Sequence, residues 1–355
     1  MTAPVASPDA GAVGEIAGRS VALKYSSVEV EYAALRRSAM LVDRSHRTRT
    51  VFEGEKRHET LTGLVTNDVG ALAPGMGQYA AALTPRGKII ADLRIFARES
   101  DLLIDVAPRA SAGWVAMVRK YVNPRATKYT DRTDAISDIG VFGVRSAEIV
   151  AAMSGLTTDA LSSLAPYGHV AGRVDGVPVT VARVPELGLD GFEVMVAADA
   201  RASLWQKAVD AGAVPAGLDA WEIARIEAGR PEWGIDIDDS TIPQEANLDD
   251  LHAISYTKGC YTGQETVARV HFRGHVNRHL RGLTYGGSSP LPLGAQLVDD
   301  ADKAVGDVRS SAVSPRLGGV AIAMVRREVN PGTTVRAKWE GGESTATVSA
   351  LPFET

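Results

Sequence analysis

From about residue 276 onward the chain becomes a run of short strand-like segments: HLRGLTY, AQLVD, AVGDVRSSAV, GVAIAMV, TVRAKWE and STATVSA. Glycine and proline separate them, and helical periodicity is nearly absent. Short alternating strands punctuated by turn residues predict a small antiparallel barrel, since closure removes the exposed sheet edges. The change of texture divides the chain into a barrel over 276–355, a body over 21–275 and a tail over 1–20. The tail, MTAPVASPDAGAVGEIAGR and one residue more, is rich in Ala, Gly, Pro and Ser and is expected to be disordered.

The body reads as α+β. Ser27 can cap a helix over VEVEYAALRRSAML, TRTVFE (48–53) alternates like a strand, and KRHETLTGLV (56–65) reads as a short helix. A β-rich block follows (GQYAAALT, KIIADLRIFAR, LLIDVAP), with Thr84-Pro85-Arg86-Gly87 as a tight turn and a helix over 109–121. Strands then recur at RATKYTDRTD, ISDIGVFGV, PVTVARV and GFEVMVA, with helices from Ser146 and over 199–211. Strands and helices mix without βαβ alternation, which disfavours a doubly wound parallel sheet. Two intertwined lobes are expected, the second over about 70–135.

Composition narrows the function classes. At 355 residues the chain exceeds one ordinary core, and 45% apolar with 23% charged residues describes a globular protein. A formal charge of −5 says little about partners by itself. No apolar run reaches the roughly 20 residues of a membrane helix, and residues 1–19 lack the layout of a signal peptide. The single cysteine excludes a disulfide framework and a complete four-cysteine cluster from one chain. A cytoplasmic protein without membrane attachment is expected.

That cysteine lies in Lys258-Gly259-Cys260-Tyr261-Thr262-Gly263-Gln264-Glu265. Thr262 and Glu265 have capping-box spacing, so a helix is predicted to begin near Tyr261–Gly263. Cys260 would precede a helix N-terminus with Lys258 close by, which favours a thiolate. Packing as a small apolar residue is the equal alternative, and the residues leave both open. The domain division places this motif near a seam, where ligand sites concentrate.

Three further stretches carry candidate chemistry. In RIEAGRPEWGID, Glu227 sits at a glycine-terminated helix end, where the dipole opposes a carboxylate. A ligand with two parallel N–H donors would compensate it, although spacing favours an ion pair with Arg225 or Arg230. In RVHFRGHVNRHLR, His271, His275 and His279 recur at four, but Gly274 argues against one helix, and no metal is expected. Its arginines suit an anionic ligand such as a polycarboxylate tail or RNA, or else a solvated linker. In LVTNDV, Asn67 and Asp68 can cap a turn, and Asp92 lies on a strand.

LVTNDV, the PRGK hairpin, RIEAGRPEWGIDID and above all KGCYTGQE resemble the YgfZ-type folate-binding proteins, relatives of the aminomethyltransferase (T-protein) of the glycine cleavage system. The resemblance covers about residues 25–350. It implies a three-lobed, ring-like α+β body with a C-terminal antiparallel β-barrel and a channel for tetrahydrofolate. It also implies a monomer that supports assembly or repair of iron–sulfur clusters in client proteins. By this resemblance Glu227 holds the pterin edge, and Asn67, Asp68, Tyr79, Arg230 and Arg273 are further folate contacts. Cys260 is the functional thiol, Lys258 and Asp92 act with it, and Gly259, Tyr261, Gly263, Gln264 and Glu265 complete the motif. The aminomethyltransferases carry two adjacent aspartates where this chain has Ala91-Asp92, and the first lies near the reactive part of folate. Glycine cleavage is therefore disfavoured by the resemblance. One-carbon transfer to tetrahydrofolate by an aminomethyltransferase or demethylase is the alternative, and RNA binding the least favoured.

Overall fold

The computed structural model of the chain describes residues 10–353. It divides into two compact units. The first comprises the described residues up to Ala82, Ile90–Trp221 and Ala253–Thr262; the second comprises Leu83–Ile89, Glu222–His252 and the residues from Gly263 on.

The first unit is built on two sheets. One runs in the order Gly77–Leu83, Ile89–Ala97, Asp101–Val106, Thr48–Glu53, Lys128–Asp131. The other has six strands, in the order His169–Val174, Val177–Arg183, Gly191–Ala197, Ile136–Phe142, Met40–Asp43, Val214–Pro215. Helices Ser146–Ser154 and Arg201–Asp210 cover one face of the second sheet, burying Ile149, Val150 and Leu204 against Val181, Val194 and Val196. Burying such a side chain is worth about 1.5–3 kcal/mol, which makes this face a main source of stability.

Several local expectations match these elements. Ser27 caps the helix Val28–Arg37 through its side chain, and Thr48–Glu53 is the strand the alternation predicts. Gly87 turns back at φ 77 with its N–H on the Thr84 carbonyl, a conformation that favours glycine. The amino-terminal expectation is corrected. Ala12–Ile16 and Arg19–Lys24 form an antiparallel hairpin, so order begins well before residue 20. Its small residues look like a linker, yet AVGEI alternates and Val21 and Ala22 are buried. The rest of that expectation, residues 1–9, lies outside the described residues.

In the second unit, six antiparallel strands close a barrel in the order Arg278–Tyr285, Gly318–Arg326, Ala304–Ser314, Gln296–Val298, Thr334–Trp339, Gly342–Ser349. Pairing of the first strand with the last completes it. Leu283, Leu297, Val308, Ala323, Val335 and Val348 fill its interior. The first barrel strand begins at Arg278, and the compact unit also takes in Glu222–His252. Polar ties explain this: Asp236 accepts from Ser310 Oγ at 2.6 Å, and Arg278 pairs with Glu245 at 2.9 Å.

Candidate active site

The strand Ile89–Ala97 has two chemically distinct faces. Ile89, Ala91, Leu93 and Ile95 point one way and are fully buried, whereas Asp92 and Arg94 point the other. Facing strands add charge: Arg94 pairs in register with Asp105, and Thr50 and Arg49 sit beside Ile104 and Asp105. The six-stranded sheet contributes Asp138 and Glu193, and the link Arg44-Ser45-His46-Arg47 passes through the same interior.

The result is a buried polar cluster. Arg94 reaches Asp105 at 2.6 Å, Glu193 at 2.7 Å and Glu186 at 3.1 Å; Arg47 reaches Asp105 at 2.5 Å; Arg49 reaches Asp138 at 2.7 Å. Arg44 contacts Glu186 at 3.3 Å and lies over the Trp221 ring at 3.9 Å. Each buried ion costs several kcal/mol in lost hydration, so the groups compensate one another. Burial pushes the Asp105 carboxyl up, but the guanidinium groups of Arg47, Arg94 and Arg49 outweigh it and hold the group well below the usual carboxylate range. Asp138 moves the other way, driven up by burial and by Glu193, and His46 is held neutral by burial beside Arg44.

Asp92 stands at the edge of this cluster. It is 7% exposed, and its Oδ2 accepts from the Tyr79 hydroxyl at 2.8 Å. Burial raises its pKa, with Arg47 and the Tyr79 hydrogen bond pulling it back. Asp92 Oδ1 and Glu193 Oε2 are buried and accept no hydrogen bond. A buried acceptor left unsatisfied costs about 1–3 kcal/mol, so a ligand bearing N–H donors recovers energy here. Tyr79 stacks on Tyr167 at 6.1 Å between centroids and 13° between planes. Tyr167 has φ 62, uncommon for a non-glycine residue and a recurrent feature of functional sites.

Tyr79 and Asp92, both singled out from the sequence, meet in this cluster, and it also contains Arg44, Arg47, Arg94, Asp105, Glu193 and Tyr167, for which the sequence carries only a weak signal. The signal available was an arginine-rich RSHRTR run entering a strand, and charges at alternate positions of apolar strands. Ala91 is fully buried on the apolar face of the strand, opposite Asp92.

The first part of KGCYTGQE is fastened to the segment after helix Arg57–Thr62. Lys258 Nζ donates to the carbonyls of Thr62, Val65 and Asn67 at 2.5, 2.6 and 2.9 Å and lies 4.6 Å from the Tyr261 ring centroid. Burial lowers the ammonium to about 8, opposed by Asp68. Its three hydrogens are spent on carbonyls, so it clasps backbone and does not serve the thiol. Cys260 and Gly259 are exposed. The expected capping box is absent: the helix Gln264–Arg273 has Gly263 as N-cap, at φ 84, with no side-chain cap. The Thr262 N–H, which the box requires, is donated to the Gly63 carbonyl, and Glu265 is exposed. Asn67 Nδ2 donates to the Tyr79 carbonyl, and Asp68 Oδ1 accepts from the Gly70 N–H, the turn-capping role its residue type suggests.

In the second unit Glu227 is compensated within the chain. Ser314 Oγ donates to Oε1 and Arg316 Nη2 to Oε2 at 2.9 Å. Arg225, one of the two partners expected, is held instead by Glu222 and Asp236 and donates to the Arg230 carbonyl. The helix-end carboxylate thus needs no ligand for its compensation. His271 lies in the last turn of its helix, His275 beyond it and His279 on a strand. All three line an open groove of about 330 Å³ with Asn247, Asp249 and Arg281. Arg273 is exposed. Among the described residues no group of three or more His, Cys, Asp or Glu could hold a metal ion, and no helix is long and apolar enough to cross a membrane.

Comparison with known proteins agrees with this architecture. Residues 6–255 match the GCVT N-terminal domain, and residues 278–354 match the glycine cleavage T-protein C-terminal barrel domain. Aminomethyltransferases of Nostoc sp. and Thermotoga neapolitana are each 30% identical, over 95% and 96% of this chain and 90% and 93% of their own length. The solved structure of glycine cleavage system aminomethyltransferase T from Bartonella henselae superposes with a TM-score of 0.87 at 25% identity, covering 98% of this chain and 95% of that one. These similarities replace the YgfZ-type assignment, to which they give no support. The iron–sulfur role and its client proteins rested on that assignment and have no other footing here.

Proposed function

The chain belongs to the glycine cleavage T-protein family, and we propose that it is a folate-dependent aminomethyltransferase, moving a one-carbon unit from an aminomethyl donor to tetrahydrofolate. The observation that carries this reading is Asp92. It is a buried carboxylate oriented by Tyr79, has one unsatisfied oxygen, and lies on the polar face of the first unit's five-stranded sheet.

The residues present fit a reduced pterin. Such a ring offers adjacent N–H donors, and Asp92 Oδ1 and Glu193 Oε2 are buried acceptors without donors. When bound, tetrahydrofolate would supply the amine that receives the one-carbon unit, while the donor's own carbon–nitrogen bond breaks and its amino group leaves as ammonia. Asp92, ionised, stabilises the positive charge that develops as the aminomethyl carbon is transferred, in an interior where such stabilisation is strong. Tyr79 fixes the direction of that carboxylate by holding Oδ2. Arg94, Arg47 and Arg49 hold Asp105, Glu193 and Asp138 in place, and their charge keeps the interior from becoming too acidic for Asp92 to ionise. Glu227, Asn67 and Asp68 are engaged within the chain, by Ser314 and Arg316, by the Tyr79 carbonyl and by the Gly70 N–H, and the proposed folate contacts do not draw on them or on Arg230 and Arg273.

The test is formation of one-carbon-loaded tetrahydrofolate from an aminomethyl donor. Asp92→Asn should reduce the rate about 10²–10³-fold, the range seen when one electrostatic stabiliser is removed. An unchanged rate in that variant would refute the role given to Asp92.

A further inference from the structure

We propose that Lys258 is a positioning residue for Asp92, acting through Asn67 and Tyr79. The inference rests on the reading above that Asp92 is the working carboxylate, and it gives the lysine of KGCYTGQE a task distinct from chemistry at the neighbouring thiol.

The path consists of consecutive contacts within the first unit. Helix Arg57–Thr62 ends at Gly63, and the carbonyls of a helix's last turn lack intrahelical donors and sit at the negative end of its dipole. Lys258 supplies a donor to one of these, Thr62, and with its other two hydrogens reaches Val65 and Asn67 in the segment that follows. That fixes the course of 62–67, and Asn67 then donates from Nδ2 to the Tyr79 carbonyl at 2.9 Å. Thr66 holds the same strand two residues further on, where its Oγ1 accepts from the Ala81 N–H at 2.9 Å, and Val65 bridges to Ala82. With the Tyr79 backbone gripped in this way, its hydroxyl is aimed at Asp92 Oδ2 at 2.8 Å.

A clasp of local stability alone does not need this lysine. Other ties already join 253–262 to the same segment: Thr66 Oγ1 donates to the Ala253 carbonyl at 2.7 Å, the Ser255 N–H to the Thr66 carbonyl, and the Thr262 N–H to the Gly63 carbonyl. Burying an ammonium adds a desolvation cost that an uncharged residue would avoid. What the ammonium adds is direction, since three donors meet three carbonyls and specify the path that leads to Asn67.

The test reads Asp92 itself in the full-length, ligand-free chain. Its carboxyl carbon is followed through a pH titration by NMR after aspartate labelling, with the signal assigned from its loss in Asp92→Asn. The groups facing Asp92 are Tyr79, Arg47 and Glu186. In Lys258→Ala a less firmly aimed Tyr79 hydroxyl should move the Asp92 midpoint up by about one pH unit, the equivalent of one hydrogen bond to a charged group. Propylammonium, which replaces the excised amine, should return it. Asn67→Ser, which spares the lysine's carbonyl contacts, should shift the midpoint the same way and resist propylammonium. Should Lys258→Ala fail to fold, the Asn67→Ser titration with Lys258 in place decides the Asn67–Tyr79 link on which the proposal depends. The proposal is overturned if the midpoint stays put in the folded variants, or if propylammonium restores thermal stability while leaving the midpoint shifted. A shifted midpoint in a chain that binds no tetrahydrofolate would keep the positioning role and defeat the functional reading instead.

Discussion

Asp92 and Glu227 are nearly equally buried, at 7% and 6% exposure, yet the fold treats them differently. Glu227 has a donor on each oxygen, Ser314 on one and Arg316 on the other. Asp92 has Tyr79 on one oxygen and none on the other. The difference separates a carboxylate spent on stability from one held ready for something the chain does not itself provide. Burial alone could not have told them apart, and neither could residue type.

The contrast can be broken most decisively at Asp92. Asp92→Asn should lower one-carbon transfer about 10²–10³-fold while the Tm stays within a few degrees, because the amide keeps the Tyr79 hydrogen bond. A large fall in Tm with modest loss of rate would make Asp92 structural. Glu227→Ala should do the reverse. It strands Arg316 and Ser314, and since the Arg316 side chain is one-quarter exposed the cost falls below that of a fully buried pair, about 2–3 kcal/mol in denaturant unfolding. If that variant unfolds normally but loses tetrahydrofolate, the carboxylate assigned to stability is the one that binds.

Acid titration sharpens the same comparison. Asp92 has its pKa raised chiefly by burial, and transfer needs the ionised form. The rate should therefore rise with pH through a midpoint above the ordinary carboxylate range, a limb that Asp92→Asn removes. The linkage sign is opposite for stability: a raised carboxylate pKa means the folded state binds the proton more readily, so Asp92 contributes more to stability as pH falls. Lys258 offers a smaller effect. Its amine should become reactive toward an acylating reagent near pH 8, well ahead of exposed lysines. Smallest is Cys260→Ser, expected to leave both rate and Tm unchanged, since the thiol is exposed and outside the polar cluster.

Much of the fold was legible because alternation and turn residues are local. The six barrel strands and the strand Thr48–Glu53 fall where the pattern puts them. The hairpin beginning at Ala12 was hidden by its small residues, which resemble a linker until their partners are known. Tyr79 and Asp92 could be singled out, but their contact depends on two strands lying side by side, and Asp138 and Glu193, which pair with Arg49 and Arg94, come from a different sheet. Cross-sheet assembly of charges leaves no spacing to read. In KGCYTGQE the contacts of Lys258 with three distant carbonyls likewise leave no trace in local spacing.

Tetrahydrofolate binding is the central requirement of the proposed activity. The most direct measurement is a calorimetric titration of the full-length chain with tetrahydrofolate, followed by assay of the same sample for one-carbon transfer from an aminomethyl donor. Saturable one-to-one binding with turnover, the turnover but not the binding collapsing in Asp92→Asn, is the predicted result. No binding to the native chain, or turnover undiminished in Asp92→Asn, would contradict it.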